Sequence, residues 1–319
     1  MIYIDDSILK KGCPATAGSK ILSNFTAPFD ATVISRLSVP GCDKIQMTAL
    51  GEFGMTDPGE LPGTPLLCND IFGQLRTRAA RQGLCYIRPT YGTVSRYGLI
   101  ASAASMDQIG IVCKNPKEGF SLLSAIAGFD ENDGAMFPEK TYSYKADAGK
   151  IIWGAIGSSL KNIKAQINAV DCNKSCFDAG EEVLFILAYA EICNNINRFD
   201  GIKFGYRTPN YRNLEELYTK TRNEGFGPEA KLAAIMGSMV LSKDYYDKYY
   251  DKAMRIRRII KESLDFKQYS VIALPVESPL AVLAGLPSLT FSHNGGGIQL
   301  AANVKMENVL IKAWEEITS

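Results

Sequence analysis

The sequence predicts an α/β fold, a mixed sheet flanked by helices, and three observations predict it. Short apolar runs of strand length alternate with amphipathic runs of helix length along the chain. Glycine and proline punctuate the boundaries between them. At 319 residues, 46% hydrophobic and 22% charged, the chain can bury a full core without disulfide staples. No fixed-period repeat, low-complexity tract or linker-like shift divides it, so residues 1–319 read as one domain.

After a polar opening, Asp30 is placed to cap a helix in DATVISRL. KIQMTAL from Lys44 reads as a buried strand, and the Gly- and Pro-dense stretch from Gly51 to Pro65 as loop. Between Gly83 and Val112, apolar runs broken by Gly, Pro and Ser read as strands joined by tight turns. Asn115-Pro116-Lys117-Glu118 supplies a cap, a first-turn proline and a reciprocal acid for a helix that Gly128 ends. KIIWGAIG from Lys150 follows as a strand.

EEVLFILAYAEICNNI from Glu181 carries acids in its first turn, which the helix dipole favours, and NLEELYTKTRNE is a more exposed helix. From Pro228 to Leu264 a helical pattern runs without internal proline. YSVIALP from Tyr269, PSLTF from Pro287 and GGIQLAA from Gly296 read as strands before a last helix, MENVLIKAWEEI.

Thirty-five Lys and Arg against thirty-four Asp and Glu leave a net charge of +1, so no global footprint for nucleic acid or anionic membrane exists. Any nucleic-acid contact would be local or indirect. The opening MIYIDDSILKKG places two acids where a secretory signal is basic, and no apolar run approaches the roughly 18 residues of a membrane span, so the expected location is the cytoplasm. Of eight cysteines only Cys172 and Cys176 are close in sequence, which favours reduced thiols. A lone histidine, His293, excludes most His-based catalysis, and Asp130, Glu131 and Asp133 lack the alternation and closing acid of a cation loop; no metal or cofactor is expected.

RPTYGTVSRYGLIASAASMDQIG, from Arg88 to Gly110, resembles the stretch that closes the amidase signature and runs to its SxDQxG turn. RFDGIKFGYRT from Arg198 and EGFGPEAKLAAIMGSMVLSKDYYDKYYDKA from Glu224 resemble segments peculiar to the A subunits of glutamyl-tRNA(Gln) and aspartyl-tRNA(Asn) amidotransferases. The resemblance covers nearly the whole chain in family order, though the chain is shorter than the family norm. It implies an amidase-signature-like mixed β-sheet core flanked by helices, with an active cleft on one side.

The same resemblance implies lost chemistry. Family members attack an amide with a serine whose proton passes through a second serine to a neutral buried lysine, because each hydroxyl needs a base within reach. Ile4-Asp5-Asp6-Ser7 matches the lysine segment and puts Asp5 where that base belongs; Lys10 and Lys11 match other positions. Counting back from Pro89 aligns Cys68-Asn69-Asp70-Ile71-Phe72-Gly73-Gln74-Leu75-Arg76 with the nucleophile segment. Gln74 then stands at the nucleophile and Phe72 at the middle glycine. The run bearing the relay serine has no counterpart, and the loop near Pro275-Val276-Glu277-Ser278-Pro279 is contracted.

No catalytic residues are therefore expected. A remnant cleft narrowed by the larger replacements would comprise Phe72, Gly73, Arg76, Ser95, Arg96, Asp107 and Gln108. Arg78 and Arg81 near it would favour anions. Ser158-Ser159 with Lys161 or Lys164 reads as a strand-to-loop junction, and Gly295-Gly296-Gly297 as a hairpin turn. Tyr245, Tyr246, Tyr249 and Tyr250 have the spacing of helix packing with hydroxyls at the rim. Arg255, Arg257, Arg258 and Lys261 are the best local candidates for RNA contact, or else a solvated helix end.

The resulting expectation is a non-catalytic homologue acting through a partner resembling the other amidotransferase subunits or through a small amide-like ligand. The alternative, an active amidase or amidotransferase subunit with a relocated site, requires a new base for Ser7, Ser95, Ser102 or Ser105, and the sequence shows none.

Overall fold

A computed structural model describes residues 1–37, 45–145, 149–156, 167–170 and 174–318. Cys42, Cys172, Ser158, Ser159, Lys161 and Lys164 lie outside the described residues. The strands are β1 (Ile2–Asp5), β2 (Ile45–Thr48), β3 (Leu66–Asn69), β4 (Cys85–Arg88), β5 (Ile109–Cys113), β6 (Trp153–Ala155), β7 (Ile167–Ala169), β8 (Val271–Pro275), β9 (Ser288–His293) and β10 (Gly296–Ala302). They form one ten-stranded mixed sheet in the order β2-β1-β3-β5-β4-β9-β10-β8-β6-β7. Its ends are parallel pairs, β1 with β2 and β6 with β7, and its middle is antiparallel.

The α/β class and mixed sheet are as the sequence predicts. Alternate residues of β8 face opposite layers: Ile272 and Leu274 pack into one apolar cluster, Val271 and Ala273 into the other. Helices α1 (Thr32–Leu37) and α3 (Pro116–Ile126) cover one face. The other carries α2 (Gln74–Arg81), α5 (Gly180–Ile196) and α7 (Pro228–Leu241), with α4 (Lys174–Asp178) and α6 (Leu214–Gly225) between them in sequence. Helices α8 (Lys252–Ser263) and α9 (Leu280–Ala284) complete that layer, and α10 (Glu307–Thr318) joins α1 and α3.

Local chemistry explains most boundaries. The Asn115 side chain accepts the Lys117 N–H to cap α3, and Asn213 caps α6 through the Glu216 N–H. The β9–β10 hairpin turns on Asn294 and Gly295, with φ of 49° and 77°, the left-handed pair that a two-residue turn needs. Among the described residues no helix is long and apolar enough to cross a membrane.

Several expectations need correction. KIQMTAL forms a strand, but β2 sits at the sheet edge with one partner, so it is largely half-exposed. The helix expected from Pro228 to Leu264 breaks at Ser242, where ψ reaches 153° and the Ser242 hydroxyl donates to the Met239 carbonyl at 2.7 Å. The chain then makes a π-helical turn, Tyr246–Asp251, before α8. That break leaves Tyr245, Tyr246 and Tyr249 exposed, while Tyr250 packs against the core. β1, β3, α2 and α9 were not expected, being short segments without readable periodicity.

Candidate functional site

Strand β3 ends at Asn69, and Asp70 to Gly73 turn the chain into α2. Gly73 has φ of 89°, and a Cβ there would lie 2.7 Å from Arg76 Nη2, so the turn requires glycine. The buried Asp70 carboxylate accepts the Gly73 and Leu75 N–H groups at 3.0 and 3.2 Å and thereby caps α2. Its other oxygen pairs with Arg76 Nη1 at 2.9 Å, both side chains 1% exposed. Arg76 also donates to the carbonyls of Val276, Glu277 and Ser278, tying α2 to the β8–α9 turn. Beneath them Arg88 donates to the carbonyls of Asp70 and Met106.

Over this frame lies a cleft of about 260 Å³. Gln74 is exposed in it, flanked by Phe72, Thr77 and Arg78 on one side and by Glu181 and Phe185 of α5 on the other. Glu277 and Pro279 form a further wall. The replacements do not close the cleft, because Phe72 turns aside to stack on Phe185, ring centres 5.4 Å apart, with Tyr189 6.1 Å away. Arg78 is held by both carboxylate oxygens of Asp57 at 2.6 and 2.8 Å, while Arg81 is exposed at the rim. The lining thus mixes both charge signs beside an aromatic wall.

The remaining sequence-predicted residues stand elsewhere. Asp5 ends β1, buried away from the cleft lining, and accepts the Ser7 hydroxyl at 2.5 Å. Burial pushes its carboxyl up to about 7 despite that hydrogen bond. Asp107 accepts the Asn69 amide at 2.7 Å and the Ser102 N–H at 3.0 Å, and the Gln108 N–H returns to the Asn69 oxygen at 3.1 Å. These bonds brace the end of β3 from behind. Ser95 donates to Asp130 at 2.6 Å, and Arg96 pairs with Asp133 at 2.7 Å. Arg96 and Asp107 line a separate opening with Asp133.

The structure therefore brings Phe72, Gly73 and Gln74 together at the cleft with Arg76 behind them, and sets Ser95 and Arg96 apart. Asp57, Glu181 and Phe185 were missed, although Glu181 and Phe185 sit four residues apart on a helix that the sequence does show. Carboxylate partners that the sequence hides also emerge: Ser7 with Asp5, Ser95 with Asp130, and Ser105 with Glu191 at 2.5 Å. None of these pairs lines the cleft.

Residues 67–150 and 155–306 match the family described as Amidase. The chain belongs to the amidase family. Among its relatives is the A subunit of glutamyl-tRNA(Gln) amidotransferase from Cyanothece sp., 33% identical over 99% of this chain and 83% of the relative. The corresponding subunit from Paraburkholderia phytofirmans is 35% identical over 86% of this chain and 68% of its own. The Cyanothece alignment runs over 404 positions whereas this amidase-family chain has 319 residues, so at least 85 positions, the difference, face gaps in it. The crystal structure of the A subunit from Thermotoga maritima matches with a TM-score of 0.62 at 25% identity, over 98% of this chain and 81% of the other. A crystal structure described as an amidase shares the fold with a TM-score of 0.74 at 17% identity, over 99% and 83%.

Proposed function

We propose that this amidase-family chain has lost amide hydrolysis and acts by binding, through its cleft to a small amide-like ligand or through its surface to a partner resembling the other amidotransferase subunits. The observation that carries this reading is Gln74, exposed at the first turn of α2 in the position matched to the family nucleophile. A carboxamide is no nucleophile at neutral pH, and the matched base position holds Asp5, which is buried and engaged by Ser7. Phe72 beside it carries a side chain where the family's glycine lets backbone amides approach an oxyanion. The cytoplasm is the compartment we expect.

A relocated active site gains little from the Ser95–Asp130 pair. Asp130 is held at about 2: burial opposes this, but hydrogen bonds from Ser95, Thr32 and Asn132 outweigh it, so it is a poor base at neutral pH. Purified protein incubated with glutamine or asparagine should release no ammonia above background. Turnover that survives repurification and vanishes with one internal substitution would refute the reading.

Rescue should also fail. Asp5→Lys with Gln74→Ser should leave ammonia release at background, because members of a proton relay act as a unit and the bridging serine would still be missing. Activity in that double variant, measured beside the unmodified protein, would show that another hydroxyl completes the relay.

A further inference from the structure

The basic face of α8 closes a second cavity of about 450 Å³, within the range of small-molecule sites. It lies at the C-terminal end of α9, whereas the cleft touches Pro279 at the N-terminal end. Met254, Arg257, Arg258 and Lys261, spaced i, i+3, i+4 and i+7, present one helix face to it. Tyr91, Phe137 and Leu283 supply apolar surface, and among the described residues no carboxylate belongs to the lining.

The three cations differ in what holds them. Arg257 is fixed: its Nε donates to the Leu283 carbonyl at 2.7 Å and its Nη atoms to the Ser105 hydroxyl and carbonyl at 2.9 and 3.0 Å. Glu191, bonded by Ser105 behind the wall, faces Arg257 and offsets part of its charge. Arg258 reaches Glu262 at 2.7 Å in a highly exposed pair, the kind that solvent and salt readily exchange. Lys261 pairs with no carboxylate among the described residues. Across the cavity the Lys305 ammonium lies 3.9 Å from the Phe137 ring centre, itself paired with Glu139. Arg255, which the sequence grouped with these, pairs with Asp251 and does not line the cavity.

We propose that this cavity is a binding site for a small organic carboxylate, its apolar body against Tyr91, Phe137 and Leu283 and its anionic end between Arg258 and Lys261. Such a ligand satisfies both halves of the lining, whereas inorganic phosphate leaves the apolar surface bare and a neutral aromatic leaves the cations unmatched. The proposal is independent of whether the cleft hydrolyses amides.

The test is calorimetric titration with 1-naphthoate, with 1-naphthalenemethanol as the neutral counterpart. Naphthoate should bind saturably, at least about ten-fold more tightly than the alcohol, and more weakly at high salt. Arg258→Glu with Lys261→Glu should weaken it at least about ten-fold, and these exposed positions leave the fold intact, as thermal unfolding would verify. Gln74→Trp, which fills the cleft, should leave naphthoate binding unchanged. Absence of saturable binding, equal affinity for the alcohol, or an affinity indifferent to the double reversal would overturn the proposal. So would loss of binding in Gln74→Trp, since the carboxylate would then occupy the cleft.

Discussion

Replacing Arg76 with Met should lower stability by about 3–5 kcal/mol, because it strands a buried carboxylate rather than merely deleting a contact. Asp70 would lose its ionic partner in a setting where both side chains are 1% exposed, and the carbonyls of Val276, Glu277 and Ser278 would lose their donor. Natural domains hold about 5–15 kcal/mol in all, so the loss would be conspicuous in urea unfolding. Adding Asp70→Asn should recover part of it, because asparagine removes the stranded charge yet still caps α2. If Arg76→Met costs under about 1 kcal/mol, the pair is not what fixes α2 against the β8–α9 turn.

The second large effect is pH-dependent and belongs to Asp5. Its carboxyl is raised from an ordinary 3.8 to about 7, first by burial, with nearby Asp6 adding to the rise and the Ser7 hydrogen bond opposing it. Between those values the folded protein holds a proton that the unfolded chain has released. The contribution of Asp5 is therefore fully favourable below 3.8 and declines as pH rises to about 7, by about 1.4 kcal/mol per pH unit. Asp5→Asn should consequently change little at pH 4 and stabilise the protein at pH 8 by up to roughly 4 kcal/mol. Unfolding curves at the two pH values decide it: a substitution that destabilises more at pH 8 than at pH 4 would mean that Asp5 is charged and well solvated in the fold.

Much of the architecture was legible because long amphipathic runs with good caps carry their own instructions. α3, α5, α6 and α10 emerge near their expected bounds, as do β8, β9 and β10. What escaped notice was short or decided by tertiary contact. β1 and β3 are four residues each, too brief for a period to show, and β2 reads as apolar although the sheet order leaves it at an edge. The break at Ser242 carries no proline or glycine signal, only a serine able to bond its own backbone.

The site divides along the same line. Phe72, Gly73 and Gln74 were readable because they are contiguous and sit in a recognisable motif. Ser95 and Arg96 lie close by in the sequence, but long-range hydrogen bonds to Asp130 and Asp133 hold them in another part of the fold. Phe185, more than a hundred residues from Phe72, becomes its neighbour only through the packing of α5, which nothing local announces.

The order of strands also bears on how the protein must be made. At the middle of the sheet Tyr86, Ile87 and Arg88 pair with Thr290, Leu289 and Ser288, partners some two hundred residues further on. While a ribosome is still extending the chain, β1 to β5 can assemble among themselves, but the outer edge of β4 stays bare until β9 emerges. Until then that edge presents unpaired backbone N–H and C=O groups, the type of edge on which nascent chains join one another. Synthesis paused anywhere before Ser288 would prolong the exposure, so a truncated message from this gene should yield insoluble product, and chaperone occupancy on translating ribosomes should persist until the last tenth of the chain is complete.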